Sequence, residues 1–198
     1  MAHAKLFLFD GRMSVTQTTG ITFLLDKWEA EMPDADDRWL AYMLATTHHE
    51  TGRAMQPVRE TFSPTDAGAI RILDRAFSAG KLPWVSEPYW RPDTEGRSWL
   101  GRGFVQITHK SNYVKLAAVT DPNLATDPTC AMEPATAANV LFQGMIQGLF
   151  TGKRLADFFS GDKEDWRNAR SIINGIEKAD LVASYGRQYY SCISYTTI

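Results

Sequence analysis

The chain has 198 residues, of which 44% are hydrophobic, enough for one domain with a sizeable core. Charged residues make up 22% and the formal net charge is −2, so the basic surface typical of nucleic-acid-binding proteins is absent. No apolar run approaches the ~20 residues that a membrane span needs, and we therefore expect neither nucleic-acid binding nor membrane insertion.

The N-terminal segment contains a short apolar run at residues 6–9. This run is too short for the core of a signal peptide, and no small-residue cleavage site follows it. We predict an extended lead-in over residues 1–12 and a protein that folds in the cytoplasm of the producing cell. Cys130 and Cys192 are far apart in the sequence, and in that compartment we expect free thiols.

Helical periodicity begins soon after this lead-in. Ile21, Leu24 and Trp28 recur at helical spacing, which predicts a helix over residues 14–31. Ser14 stands where an N-cap is expected.

The second predicted helix carries Glu50 near its end, and an aspartate at residues 36–37 can cap its start. Met43, Leu44 and Thr47 recur at helical spacing and share one face. Glu50 falls on or beside that face, where a carboxyl group is poorly solvated. Poor solvation raises the pKa of a carboxyl group and makes it a proton donor near neutral pH.

A second acid, Glu60, follows ten residues later. Ten residues of straight helix rise about 15 Å, which is too far for two cooperating carboxyl groups. Pro57 restricts Gln56 and should end the helix, so that Glu60 folds back on a loop. Inverting glycoside cleavage requires two carboxyl groups roughly 6.5–9.5 Å apart with a water between them. The alternative interpretation of the spacing is that Glu50 is a solvated or capping residue near the end of its helix.

The remaining sequence predicts further helices around one long irregular loop. Residues 80–103 are dense in Pro, Gly and Trp and cannot form a regular helix. Their aromatic side chains either pack in the core or stack on sugar rings. Residues 104–108 predict a short strand or an extended segment. The other predicted helices cover residues 66–80, 112–119, 134–151, 157–173 and 177–190.

Other chemistries fit the sequence poorly. A zinc-protease motif needs a second histidine four residues after His48 or His49, where the chain has Gly and Arg. A dinucleotide loop starting at Gly101 needs a third glycine where Gln106 stands. The Gly-x-Ser-x-Gly motif of serine hydrolases is absent.

Three blocks in order resemble glycoside hydrolase family 19, which contains plant-type chitinases and phage endolysins. They are residues 49–52, residues 101–113 with the pattern Gly-Arg-Gly-x-x-Gln-Ile-Thr-x-x-x-Asn-Tyr, and residues 172–175. The resemblance covers roughly residues 40–190, and the second block is specific. Two stretches, 55–60 and 149–153, are most similar to phage and prophage lysins. The resemblance implies one mainly α, lysozyme-like domain over residues 1–198, with two lobes, a central cleft, little or no β structure and no separate wall-binding module.

The resemblance also implies roles for individual residues. Glu50 matches the general acid. Glu60 occupies a position similar to that of the general base, and Thr108 matches the residue that, together with Glu60, positions the attacking water. The implied substrate-binding residues are Gln106, Asn112, Tyr113, Asn174, His49 and Arg102. In plant chitinases the second acid lies further from the first, so Glu87 and Glu95 are alternatives to Glu60.

The implied activity is that of a muramidase that cleaves β-1,4 bonds between N-acetylmuramic acid and N-acetylglucosamine in peptidoglycan, with inversion and without metal or organic cofactor. We expect a monomer that binds peptidoglycan glycan strands. It would accumulate in the host cytoplasm and reach the wall after the inner membrane is breached. A chitinase and a non-catalytic glycan-binding module are the alternatives.

Overall fold

The computed structural model describes residues 2–194, and it is mainly helical, which confirms the predicted fold class. The α-helices are α1 (Ala2–Leu8), α2 (Val15–Glu31), α3 (Asp37–Glu50), α4 (Asp66–Ser78), α5 (Lys110–Ala117), α6 (Pro134–Gln147) and α7 (Ala179–Ile193). The strands are β1 (Val58–Arg59), β2 (Arg102–Gly103), β3 (Phe159–Ser160) and β4 (Lys163–Glu164). β1 pairs antiparallel with β2, and β3 with β4.

The contacts divide the chain into two compact units. The first unit contains the described residues up to Gln56 together with those from Leu141 onward, and the second is Pro57–Val140. Glu50 therefore belongs to the first unit and Glu60 to the second. The organisation as one lysozyme-like domain with a cleft stays a prediction.

α2 and α3 begin where local capping chemistry predicts. The Ser14 hydroxyl accepts a hydrogen bond from the Gln17 backbone N–H, and the Gln17 side chain accepts one from the Ser14 backbone N–H. This reciprocal capping box satisfies two donors that a helix start leaves unpaired. Asp36 caps α3 by accepting a hydrogen bond from the Arg38 backbone N–H.

α3 is the central helix of the first unit. Its residues from Leu40 to His48 are all buried, and α7 packs along it. Gly186 in α7 leaves room for two rings there, because a Cβ atom would lie 2.8 Å from a ring carbon of Trp166 and 3.3 Å from one of Tyr42 in α3. A helix buried on every side holds the residues at its C-terminal end in fixed positions.

The second unit has its own core, built by α4 and the long irregular loop. Ala69, Leu73, Trp90 and Leu100 form a buried cluster. Of the aromatic residues in this loop, Trp90 and Trp99 are thus core residues, whereas Trp84 is 76% exposed. Core packing, and not sugar stacking, accounts for most of the loop's aromatic content.

Three predicted segments are wrong in the structure. The predicted extended lead-in is the helix α1, whose Ala4 and Leu8 lie four residues apart and are both buried. Residues 104–108 do not form a strand, because Gln106 has a positive φ of 53° and only Ile107 makes a β-bridge, to Arg102. Residues 157–173 are not one helix, since Gly161, with φ of 55°, closes a hairpin between β3 and β4.

Within residues 2–194, no helix has both the length and the apolar character that crossing a membrane requires.

Candidate active site

Glu50 is the last residue of α3. The helix ends there because Gly52 and Arg53 both take positive φ angles, and the Thr51 side chain donates to the Thr47 carbonyl at 2.7 Å. The end thus lies before Pro57, and the prediction that this proline terminates the helix is wrong. The abrupt end places the Glu50 side chain on the last turn of a buried helix.

The Glu50 carboxylate is 17% exposed and forms an ion pair with Arg170. Arg170 Nη1 donates to Glu50 Oε1 at 2.6 Å, and Arg170 Nε donates to the Glu177 carbonyl at 3.3 Å. Arg170 is itself buried. Charge-assisted hydrogen bonds of this length are stronger than neutral ones, so Arg170 fixes the carboxylate of Glu50. No local pattern in the sequence points to Arg170, which lies 120 residues along the chain from Glu50.

The two histidines before Glu50 differ in their surroundings. His48 is buried, and its Nδ1 lies 3.0 Å from the Tyr189 hydroxyl. Burial lowers the pKa of His48 to about 4, and the nearby Arg53 acts in the same direction. His49 is half-buried, and burial is also the main reason that its pKa lies below the ordinary value. Both rings are therefore neutral at pH 7.

Glu60 directly follows β1 and begins a short 3₁₀ turn. Its Oε1 accepts a hydrogen bond from the Tyr89 hydroxyl at 2.8 Å, and its Oε2 accepts one from the Gly101 backbone N–H at 2.8 Å. The Glu60 backbone N–H donates to the Gly101 carbonyl at 2.7 Å. Both carboxylate oxygens are thus held, and each keeps further acceptor capacity.

Asp66 connects the two strands beside Glu60. Its Oδ1 accepts from Arg59 Nε at 2.5 Å and its Oδ2 accepts from Arg102 Nη2 at 2.5 Å. Partial burial raises the pKa of Asp66, but the hydrogen bonds from Arg102 and Arg59 outweigh it and hold the pKa below the ordinary value. Because Arg59 precedes Glu60 and Arg102 follows Gly101, Asp66 stabilises the register that brings Glu60 to Gly101.

Two residues predicted to bind substrate are buried. Arg102 and Tyr113 are each 0% exposed. Arg102 Nη1 donates to the Tyr113 hydroxyl at 3.1 Å, and that hydroxyl donates to the Leu100 carbonyl at 2.8 Å. Burial raises the pKa of Tyr113 to about 12, so the phenol stays protonated. Both side chains therefore support the second unit from within, and their predicted contact with substrate stays a prediction.

Gln106 also supports this region, because its Nε2 donates to the Val58 carbonyl at 2.8 Å and to the Gly103 carbonyl at 3.0 Å. Thr108 is half-buried, and its carbonyl accepts from the exposed Asn112 side chain at 2.9 Å. Gln106, Thr108 and Asn112 belong to the unit of Glu60.

Asn174 and His49 belong instead to the unit of Glu50. Asn174 is exposed, and its side-chain oxygen accepts from the Gly175 backbone N–H at 2.8 Å. An exposed amide next to a helix-ending turn is free to contact a ligand, so the predicted substrate-binding role of Asn174 stays a prediction.

Strained backbone is concentrated around the predicted residues. Non-glycine residues rarely take positive φ angles, and such strain clusters at functional sites. Positive φ angles occur shortly after each predicted acid and around the predicted water-positioning threonine, at Arg53, Met55, Thr61, Phe62, Gln106 and His109. This distribution supports a functional role for both segments.

Comparison of the chain with protein-family models, with curated proteins and with solved structures gives no match. The assignment of a function therefore depends on the motifs in the sequence and on the geometry of the two segments that carry Glu50 and Glu60.

Proposed function

We propose that the protein is a peptidoglycan-degrading muramidase that hydrolyses the β-1,4 bond between N-acetylmuramic acid and N-acetylglucosamine by an inverting mechanism. The observation that carries the proposal is the pair of hydrogen bonds that holds both oxygens of the Glu60 carboxylate. Hydrogen bonds from two donors stabilise the ionised form of a carboxylate, which is the form that a general base requires.

Glu50 is assigned as the general acid. In this role its carboxyl group protonates the glycosidic oxygen as the bond to the anomeric carbon breaks. Protonation of Glu50 removes the charge with which Arg170 pairs, so the acid form keeps its orientation through the hydrogen bond that the Arg170 guanidinium donates to its carbonyl oxygen. We assign Arg170 as a positioning residue that holds Glu50 Oε1.

Glu60 is assigned as the general base. A water molecule loses a proton to a Glu60 oxygen and attacks the anomeric carbon from the face opposite the leaving group. Thr108 is assigned to help to hold that water. The alternative bases are less suitable, because Glu87 is exposed and Glu95 forms an exposed ion pair with Arg97 at 2.7 Å.

Peptidoglycan is favoured as the substrate over chitin by the resemblance to phage and prophage lysins. The free thiols Cys130 and Cys192 agree with that group, since the plant-type chitinases carry several disulfides. On this proposal the protein accumulates in the cytoplasm of the producing cell and acts on glycan strands of the wall after its release.

Product analysis tests this proposal. Purified Gram-negative peptidoglycan and chitin oligomers are each incubated with the protein, and the new reducing ends are identified by mass spectrometry after reduction. New reducing ends at N-acetylmuramic acid are expected. Cleavage of chitin alone would establish the chitinase alternative, and reducing ends at N-acetylglucosamine from peptidoglycan would contradict the muramidase.

A glycan-binding module without catalysis is the second candidate, and one observation favours it. Arg170 pairs with Glu50, and such an ion pair can serve the structure alone without any part in catalysis. Exposed aromatic side chains such as Trp84 and Phe62, 76% and 63% exposed, offer surfaces for sugar rings. Sedimentation with insoluble peptidoglycan, without release of any fragments, would identify this function.

A further inference from the structure

The long irregular loop of the second unit brings one aromatic side chain to Glu60. We propose that Tyr89 is a positioning residue, which fixes the carboxylate of Glu60 in the orientation that a general base needs. This inference rests on the proposed function, because it assigns Tyr89 a part in the same reaction. It also gives the loop a role other than sugar stacking.

The hydrogen bonds at Glu60 constrain rotation of its carboxylate. The Tyr89 hydroxyl donates to Oε1 at 2.8 Å, while the Gly101 backbone N–H donates to Oε2 at 2.8 Å. Both lengths are those of well-formed hydrogen bonds. With one donor on each oxygen, the carboxylate plane cannot turn without breaking a bond. The Gly101 donor belongs to the backbone, so Tyr89 is the only one of the two that a side-chain substitution can remove.

The Tyr89 phenol stays a donor across the working pH range. Burial raises the pKa of Tyr89, and the adjacent charge of Glu60 raises it further. The proton thus remains on the phenol oxygen, and the hydrogen bond runs from Tyr89 to Glu60 and not in the reverse direction.

Packing holds the Tyr89 ring itself. Trp90 lies edge-on to it at 5.1 Å between ring centroids, and His109 lies on another side at 4.3 Å. Trp90 is fully buried and anchored by a hydrogen bond from its Nε1 to Asp74 at 2.9 Å. The Tyr89 carbonyl accepts from the Trp99 backbone N–H at 3.3 Å. A ring confined in this way delivers its hydroxyl to one point, which is the requirement for positioning another side chain.

The substitution Tyr89→Phe tests the proposal, because it removes the hydroxyl and keeps the ring. The turnover number on peptidoglycan is expected to fall roughly tenfold to a hundredfold, with KM changed by less than about threefold. Tyr190→Phe is the matched control, because Tyr190 is a partly buried tyrosine of the other unit that packs against Trp166.

A double variant separates positioning from a structural effect. If Tyr89 acts through Glu60, then Tyr89→Phe added to Glu60→Gln should reduce the residual rate by less than about twofold. An additive loss in the double variant would show that Tyr89 only supports the fold. Normal activity of Tyr89→Phe would equally overturn the proposal.

Crystal structures of the wild type and of Tyr89→Phe give a readout that does not require activity. The wild type is expected to show one Glu60 rotamer that contacts both Tyr89 and Gly101, and the variant to show a rotated carboxylate or more than one rotamer. An unchanged Glu60 in the variant would overturn the positioning role. An inactive wild type with the expected crystallographic change would contradict the proposed function and leave the positioning of Glu60 by Tyr89 supported.

Discussion

The two segments that carry the proposed acid and base hold their carboxylates in different ways. Glu50 ends a regular helix that is buried on every side, and its partner is a charged side chain, Arg170. Glu60 lies in an irregular turn in which Thr61 and Phe62 both take positive φ angles, and its partners are a phenol and a backbone N–H. One carboxylate is held by charge and the other by neutral donors.

This difference corresponds to the chemistry proposed for each residue. A general acid must start protonated, and Arg170 Nη1 can donate to the carbonyl oxygen of that form as well. A general base starts as a carboxylate, and neutral donors hold it without neutralising its charge. The comparison leads to predictions for each segment.

The largest effect is expected for Glu50→Gln. The substitution keeps the shape of the side chain and the hydrogen-bond acceptor for Arg170 but removes the proton that the leaving group needs. Lysis of purified cell walls should fall about a thousandfold, while the thermal unfolding midpoint changes little. Glu29→Gln, on the exposed face of α2, is the control. Near-normal lysis by Glu50→Gln would remove Glu50 from the mechanism.

The helix that carries Glu50 should be sensitive to acid through His48. The pKa of His48 is about 4 in the folded protein and about 6.5 in the unfolded chain, so the unfolded chain binds more protons between these pH values. The free energy of unfolding should therefore fall as the pH is lowered through this window, by about 3 kcal/mol. His49, whose pKa is also lowered, acts in the same direction.

Urea unfolding of the wild type, of His48→Gln and of His3→Gln between pH 4 and 7 measures this effect. His48→Gln should flatten the dependence on pH, whereas His3→Gln, at an exposed position in α1, should not. An equally steep dependence in His48→Gln would show that another group causes it.

A smaller effect is expected in the other segment for Asp66→Asn. The substitution weakens the bridge to Arg59 and Arg102, and should lower the free energy of unfolding by about 2 kcal/mol at pH 7. The folded pKa of Asp66 is lowered, so this stabilisation is present above about pH 4 and is lost at lower pH.

The measurement for Asp66→Asn is urea unfolding at pH 7 and at pH 3, with Asp26→Asn on the exposed face of α2 as the control. The difference between the wild type and Asp66→Asn should shrink at pH 3. If it is the same at both pH values, the ion pairs of Asp66 do not contribute to stability.

The two segments also differ in how much of their structure could be predicted from the sequence. The Ser14 N-cap, the Asp36 cap and the buried face beside Glu50 depend on residues close in sequence, and these predictions agree with the structure. Arg170 and Tyr89 were missed because they lie 120 and 29 residues from the acids that they contact.

A local sequence pattern also gave a wrong prediction between residues 157 and 173. A hairpin turn at Gly161 interrupts the helix predicted there. Arg102 and Tyr113 were assigned to the substrate because their motif resembles a substrate-binding block. Their burial is decided by packing within the second unit, which the motif alone does not reveal.

The stereochemistry of the first product tests most directly whether Glu50 and Glu60 act as an acid and a base around a water. Proton NMR of a β-1,4-linked peptidoglycan fragment, recorded in the first minutes of cleavage, reports the anomer released before mutarotation. The account predicts the α-anomer, formed by inversion, and its loss in Glu60→Gln. Initial release of the β-anomer would show retention through a covalent intermediate, and would contradict the assignment of Glu60 as the base.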